Sequence, residues 1–251
     1  MCDGISLPPP FRRLALDSVG STNDEARALA EAGEAADCLV VSARRQSAGR
    51  GRRGRTWVSP AGNLHCSLLV AVDGGLGAAA QLGFAAAVAL VDTLSRLVPG
   101  AEFRCKWPND ILGQGRKLAG MLLEPAAERW LVLGLGVDVA AAPSPEAAAF
   151  PAVALADLGF GGTADDVLAA FCGEFGPWLA RWRHDGFAPV RAAWTARAAG
   201  LGAAAVVRLE HESLAGTLVG LDADGALLLD QGARGVRRVL AGDVFFPEAR
   251  S

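Results

Sequence analysis

The order in which strand-like and helix-like stretches follow one another constrains this chain more tightly than its composition does. Residues 14–19 read as a strand, Gly20 interrupts, and Ser21 and Thr22 open a helix. Thr22 and Glu25 have capping-box spacing there, ahead of the Ala/Leu-rich residues 25–32, and Gly33 closes the segment. Residues 38–43 and 64–72 are apolar runs bounded by polar residues and read as strands, with a long Gly/Arg loop between them. Residues 76–98 form one long Ala/Leu/Val helix stopped by Pro99 and Gly100. Strands follow at 103–107, 118–124 and 129–139. After Ala140 the texture turns helical: Thr163 caps residues 165–183 with Asp166 at N3, and residues 187–199 give a further helix ending at Gly200. Runs of strands followed by runs of helices predict an α+β fold, a sheet with its helices gathered mainly on one face.

From residue 203 the pattern changes to short strands, VVRLEH, TLVGLD, ALLLD and RRVL, with a turn at Asp224-Gly225. About 45 residues of this kind make a small barrel. The expected division is therefore residues 1–200 and 201–251. With 251 residues and 51% hydrophobic content the chain can bury a substantial core. Its net charge of -3 gives no global attraction to nucleic acid or to an anionic membrane. Five scattered cysteines, without a C-x-x-C pair, read as reduced thiols acting as small core residues. The start, MCDGISLPPPFRR, lacks an apolar signal region, and the longest apolar stretch, residues 82–91, is too short to span a bilayer, so a cytoplasmic protein is expected. Ten residues ending in three prolines leave no room for a helix-turn-helix unit ahead of the body.

Candidate chemistry concentrates in four places. Residues 44–55, RRQSAGRGRRGR, carry six arginines, three glycines and no acid. Glycines let a backbone approach a ligand, and guanidinium forks match phosphate and carboxylate, so the loop reads as a ligand lid, mobile when empty. A solvated basic loop and an RGG-like nucleic-acid segment are the alternatives. Among 24 basic residues only Lys106 and Lys117 are lysine, and they flank Trp107, Pro108, Asn109 and Asp110. A strand-end turn there could bring both ammonium groups to one site. Gly134 and Gly136 lie inside an apolar strand, where glycine weakens pairing unless something needs the space. Ser21, Thr22 and Asn23 stand at a helix N-terminus, which can cap the helix or receive a polar ligand. His65, His184 and His211 show no metal spacing, and there is neither a nucleophile elbow nor a phosphate-binding P-loop.

Taken in order, STN at Ser21, QSAGRGRRGRTW at residues 46–57, SPAGNL at Ser59, KWPNDI at Lys106, KLAGMLLE at Lys117 and GLGVDV at Gly134 resemble the biotin protein ligases, from about residue 14 to the end. The resemblance is to the ligase-only class, without an N-terminal DNA-binding domain. It implies a mixed-sheet catalytic domain of the biotin/lipoate ligase kind with a small C-terminal SH3-like β-barrel. It also implies a two-step reaction: biotin and Mg²⁺-ATP give biotinyl-5'-AMP and pyrophosphate, and a lysine of a biotin carboxyl carrier protein then takes the acyl group. By that pattern Arg50, Arg52 and Lys117 grip the biotin carboxylate and the forming acyl-phosphate link, with Lys106 near the phosphates. Ser21, Thr22 and Gln46 meet the ureido ring beside Gly49, and Gly120 and Gly136 leave room for the bicycle. Arg53, Arg55, Trp57 and Asn109 belong to the nucleotide side, with Trp57 on adenine. Asp110 binds Mg²⁺ or helps deprotonate the incoming lysine. Asp138 stands where the family usually has Asn; a carboxylate cannot donate to a ring nitrogen, so weaker or differently arranged adenine binding is expected. The rival readings are a lipoate-protein ligase and, from another class, a nucleic-acid-binding module. The resemblance implies no nucleic-acid or membrane partner and leaves monomer and homodimer both open.

Overall fold

The computed structural model describes residues 5–72, 76–127, 129–146 and 150–247. The first body of the chain runs β1 (Arg12–Val19), α1 (Thr22–Glu31), β2 (Leu39–Gln46), β3 (Leu64–Ala71), α2 (Leu76–Leu97), β4 (Phe103–Lys106), β5 (Asp110–Gly113), β6 (Arg116–Pro125), β7 (Trp130–Val137), α3 (Ala164–Asp185) and α4 (Phe187–Ala196). Seven strands form one sheet in the order β1-β2-β3-β7-β6-β5-β4. Only β1 and β2 run parallel, so the sheet is mixed.

Strand alternation divides the sheet into two faces. Leu64, Cys66, Leu68 and Val70 of β3 and Leu131, Leu133 and Leu135 of β7 point into the main core, which α2, α3 and α4 cover. Val41, Leu69 and Val132 point the other way, against Ala26 and Ala30 of α1. Three helices thus pack on one face and α1 on the other, next to the open part of the sheet where ligands can enter.

The helix α2 is buried because it is apolar nearly all round. Its 18-residue window Ala80–Leu97 has a mean hydropathy of 1.2 and is long enough to cross a membrane by length and composition. The uninterrupted apolar run within it is residues 82–91, ended by Asp92, and 61% of the longer window is buried, which marks it as the core helix of the sheet. Cys38, Cys66, Cys105 and Cys172 are free and buried, as small core residues are, and burial pushes the Cys38 thiol up to about 11; Cys2 lies outside the described residues.

Three sequence expectations need correction. The Thr22–Glu25 capping box does not form: Ser21 is the N-cap, without a side-chain cap bond, and the Thr22 hydroxyl turns to Gln46 instead. The fourth helix stops at Ala196, because Ala199 N–H pairs with Cys105 on β4. Asp110 does not merely end a turn but opens β5, a four-residue strand too short to show a period in sequence. At α3 the reading holds, with Thr163 and Asp166 forming a reciprocal capping box.

The remaining strands, β8 (Ala204–Arg208), β9 (Ser213–Leu221), β10 (Leu227–Asp230), β11 (Val236–Val239) and β12 (Asp243–Phe245), form an antiparallel five-stranded sheet in the order β11-β10-β9-β8-β12, the small SH3-like barrel. Its core is continuous with the main one: Leu218, Leu227 and Val244 belong to the same buried cluster as Phe84 and Trp107. Trp107 donates its indole N–H to Gly225 O at 3.3 Å across the junction.

Candidate active site

On the α1 side of the sheet, glycine spacing makes the floor of a cavity. Gly134 and Gly136 alternate with the core-facing Leu133 and Leu135, so both face α1 and the lid. A Cβ on Gly134 would overlap the Asn23 amide, and one on Gly136 would overlap the Trp57 indole. A Cβ on Gly120 would come within 3.3 Å of the same indole. The glycines therefore admit the close approach of other side chains, Asn23 at Gly134 and Trp57 at Gly120 and Gly136.

One end of the cavity is polar and neutral. Val19 and Gln46 are register partners in the parallel β1–β2 pair, which carries the start of α1 onto the end of β2. Gln46 Oε1 accepts from Thr22 N at 2.8 Å and from the Thr22 hydroxyl at 3.1 Å, while its Nε2 donates to Ser59 Oγ at 2.9 Å. Ser67 Oγ lies 2.6 Å from Asn23 Oδ1, which can only accept, so the serine proton goes there. Asn23 Nδ2 donates in turn to Glu124 at 2.8 Å.

The other end is cationic, and a bulge builds it. On β6, Gly120 faces the cavity while Ala119 and Met121 face the core. Strict alternation would put Lys117 in the core, but the register between β5 and β6 shifts at Ile111/Leu112. The extra residue lets Leu118 pack inside and leaves Lys117 on the cavity side, where its Nζ meets Asp110 Oδ1 at 2.7 Å. Lys106 ends β4, opposite Asp110. It is buried, with Nζ 3.9 Å from the centre of the Phe150 ring, and burial holds it below the usual lysine value.

The Arg/Gly loop closes over this end, fastened by the chain's own acceptors. Arg50 donates to both oxygens of Asp24 at 2.7 and 2.8 Å and to Glu124 at 2.9 Å. Arg52 donates to Asn109 Oδ1 at 3.1 Å, and burial draws its guanidinium below the ordinary value. Arg53 and Arg55 both reach Asp243 at the start of β12, whose carboxyl is held low by Arg55 and Arg53 against the opposing effect of burial.

Asp138, just past β7, is buried at 3% exposure and accepts from Asn63 Nδ2 at 3.1 Å. Asn63 cannot be turned round, because its Oδ1 takes three backbone N–H groups, from Val139, Ala140 and Ala141. Burial pushes the Asp138 carboxyl up to about 7, with Lys117 pulling weakly the other way. The expectation that Asp138 cannot donate applies to its ionised form; burial favours the protonated form, which offers a donor beside an acceptor as an Asn amide does.

All the expected side chains except Gly49 and Arg53 line a single cavity of about 340 Å³, the scale of a small-molecule site. Gly49 packs behind it against Trp57 O, Ser59 and Gln46, and Arg53 is turned to the barrel. Residues 16–137 match the Biotin/lipoate A/B protein ligase family and residues 203–246 the Biotin protein ligase C terminal domain. The biotin--[acetyl-CoA-carboxylase] ligase of Paracoccus denitrificans is 42% identical over 235 residues, covering 90% of this chain and 97% of the relative. The chain belongs to the biotin protein ligase family. The biotin--[acetyl-CoA-carboxylase] ligase of Mycobacterium tuberculosis is 37% identical over 90% of this chain and 85% of its own length. A solved biotin protein ligase from Aquifex aeolicus, in complex with biotin and ATP, superposes with a TM-score of 0.80 at 25% identity, covering 94% of this chain and 98% of that one.

Sequence reasoning missed the polar side chains that hold the cavity-lining groups: Asp24, Glu124 and Asp243 on the arginines, Asn63 on Asp138, and the Ser67 hydroxyl on Thr22 and Asn23. Each is far in sequence from its partner, so no local pattern signals it. Among the described residues no group of three or more His, Cys, Asp or Glu gathers in a way that could hold a metal ion. Asp110, expected to bind Mg²⁺ or to help deprotonate the incoming lysine, is paired with Lys117 at 2.7 Å.

Proposed function

We propose that this chain activates biotin with ATP as biotinyl-5'-AMP and transfers the biotinyl group to a lysine of a biotin carboxyl carrier protein, such as the carrier part of an acetyl-CoA carboxylase. The observation that carries the reading is the division of one cavity into a neutral hydrogen-bonding end at Ser21, Thr22 and Gln46 and a cationic end at Arg52, Arg55, Lys106 and Lys117. A ureido ring needs a few fixed donors and acceptors in apolar surroundings. A carboxylate attacking a polyanion needs cations on both reactants, which would otherwise repel each other.

In the first step Lys117 and Arg52 support the charge that develops as the carboxylate oxygen bonds the α-phosphorus and pyrophosphate leaves. Lys106 supports the phosphates, Asn109 with Arg55 and Asp138 takes the nucleotide side, and Mg²⁺ arrives with the triphosphate. Arg50 is held by Asp24 and Glu124, so the biotin carboxylate replaces a carboxylate the arginine already has. Trp57 lies over Gly120 and Gly136, where the bicycle is to go, and swings outward to pack on the adenine once biotin enters. In the second step the carrier lysine attacks the acyl carbon, the amide forms and AMP leaves. Residues 1–200 form the catalytic unit, and residues 201–251 fasten its lid. The chain works in the cytoplasm, and it binds no nucleic acid, since Arg50, Arg53 and Arg55 are paired with carboxylates of the chain itself.

The deciding measurement is biotin-dependent exchange of labelled pyrophosphate into ATP, run beside lipoate. Exchange with biotin alone is expected; exchange with lipoate only, or with neither, overturns the reading.

A further inference from the structure

The cavity proposed to hold an amine-reactive ester leaves neither of its own lysine amines free. Both lysines of the chain line it, and every other cation around it is an arginine. The two lysines are covered in different ways. Lys117 has its ammonium on Asp110 at 2.7 Å, and an ammonium fixed in an ion pair has no lone pair to offer. Lys106 is 8% exposed, beneath the Phe150 ring at 3.9 Å and with Phe245 at 5.7 Å.

Resting on the ligase reading, we propose that acceptor selectivity is built into the cavity by denying the acyl-adenylate any nucleophilic nitrogen of the enzyme: guanidinium groups supply the charge at the rim, Asp110 occupies Lys117, and Phe150 with Phe245 covers Lys106. The incoming carrier lysine is then the one free amine at the ester. It attacks with its lone pair, the C–N bond forms, the acyl C–O bond to phosphate breaks, AMP departs with that electron pair, and the amine releases its proton to solvent.

Arg52 shows why the residue type matters. It is partly buried and bonded to the neutral Asn109, with no carboxylate in ion-pair contact among the described residues, and burial disfavours its charge. A guanidinium starts at roughly 12 or above and stays charged there, whereas an amine starts near 10.4 and in the same place loses its proton more readily. Lysine at this position would keep the reach and lose the inertness. Asp110, Phe150 and Phe245 act here as positioning residues, through the two lysines.

The test uses the full chain without carrier protein, given either biotin with Mg²⁺-ATP or preformed biotinyl-5'-AMP, so that a variant weak in the first step is still exposed to the ester. Sites of acylation are mapped by peptide mass spectrometry, and pyrophosphate exchange is read on the same wild-type sample. Wild type is expected to carry biotin on neither Lys106 nor Lys117. Arg52→Lys is expected to acquire it at residue 52, where it adds an amine in place of a guanidinium, or Phe150→Ala at Lys106, where it removes the covering ring, at on the order of ten times the background on the two wild-type lysines. Wild-type acylation of either lysine at the variants' level, or both variants unlabelled in the presence of the adenylate, overturns the proposal. A lack of biotin-dependent exchange in wild type instead overturns the ligase reading, which separates the two failures.

Discussion

Lys117 and Asp138 face the same cavity and show how differently one environment treats two ions. Lys117 stays beside Asp110 on the cavity wall, the position from which it is proposed to meet the negative charge of the reaction. Lys117→Ala is expected to lower biotin-dependent pyrophosphate exchange by about a hundredfold or more, the scale of losing one group that acts in the transition state, while biotin binding by calorimetry falls much less. Among the described residues Asp138 has no cation in ion-pair contact, and burial pushes it from an ordinary 3.8 to about 7. Its folded state holds a proton that the unfolded chain gives up between those two values, so stability falls as pH rises through that window and stays lower above it. Asp138→Asn removes this dependence. Urea unfolding at pH 8 is expected to find it more stable than wild type by a few kcal/mol, at roughly 1.4 kcal/mol per pKa unit of separation, with little gain at pH 4. On the nucleotide reading, wild-type affinity for ATP weakens as pH climbs past 7 while that of Asp138→Asn does not; equal pH profiles would remove Asp138 from the adenine side. The residue types at both positions are legible in sequence, but the upward shift at Asp138 is not, because it depends on the burial that folding imposes on that carboxyl.

Within the elements, two features turn a sequence pattern into a site. The β6 bulge sets Lys117 on the cavity face against its parity, and the Arg/Gly loop closes because acceptors from α1, β6 and the turn after β4 meet its arginines, as does Asp243 of β12. Asp243→Asn removes the anion from Arg53 and Arg55. The loop is then expected to be cut by trypsin several times faster, with global stability changed by at most about 1 kcal/mol, as for a half-exposed ion pair; unchanged cleavage would mean that the barrel does not fasten the lid. Gly136→Ala is expected to push the Trp57 indole off the floor, seen as a change in the tryptophan signal that Trp57→Phe abolishes. Sequence shows the loop, its charge and the glycines. It misplaces the helix cap at Thr22, because capping-box spacing is a local rule and the Thr22 hydroxyl has the better-placed tertiary partner Gln46. At Thr163 no such competitor is bonded to the hydroxyl, and the local rule holds.

On the scale of the whole molecule, the boundary near residue 200 divides two sheets but not two cores. Phe84 of α2 packs on Phe187 and Trp194 with centroids 5.5 Å apart, and a Cβ added to Gly225 of the barrel would run into the same Phe84 ring. Calorimetry is therefore expected to show one unfolding transition rather than two. A chain lacking residues 203–251 is expected to unfold at lower temperature, as well as to lose the anion that fastens the lid; two separate transitions in the full chain would refute the shared core.

The linear sequence determined the strand and helix runs, the α+β class, the C-terminal barrel, and the motifs that mark a biotin protein ligase, because these are set by short-range periodicity, turn chemistry and the side chains themselves. Tertiary structure alone decided which acids fasten the lid, which face Lys117 takes, where Trp57 rests, and how burial titrates Asp138. Those outcomes depend on distances between residues as far apart as Arg55 and Asp243, and on the exclusion of water from the space that they enclose.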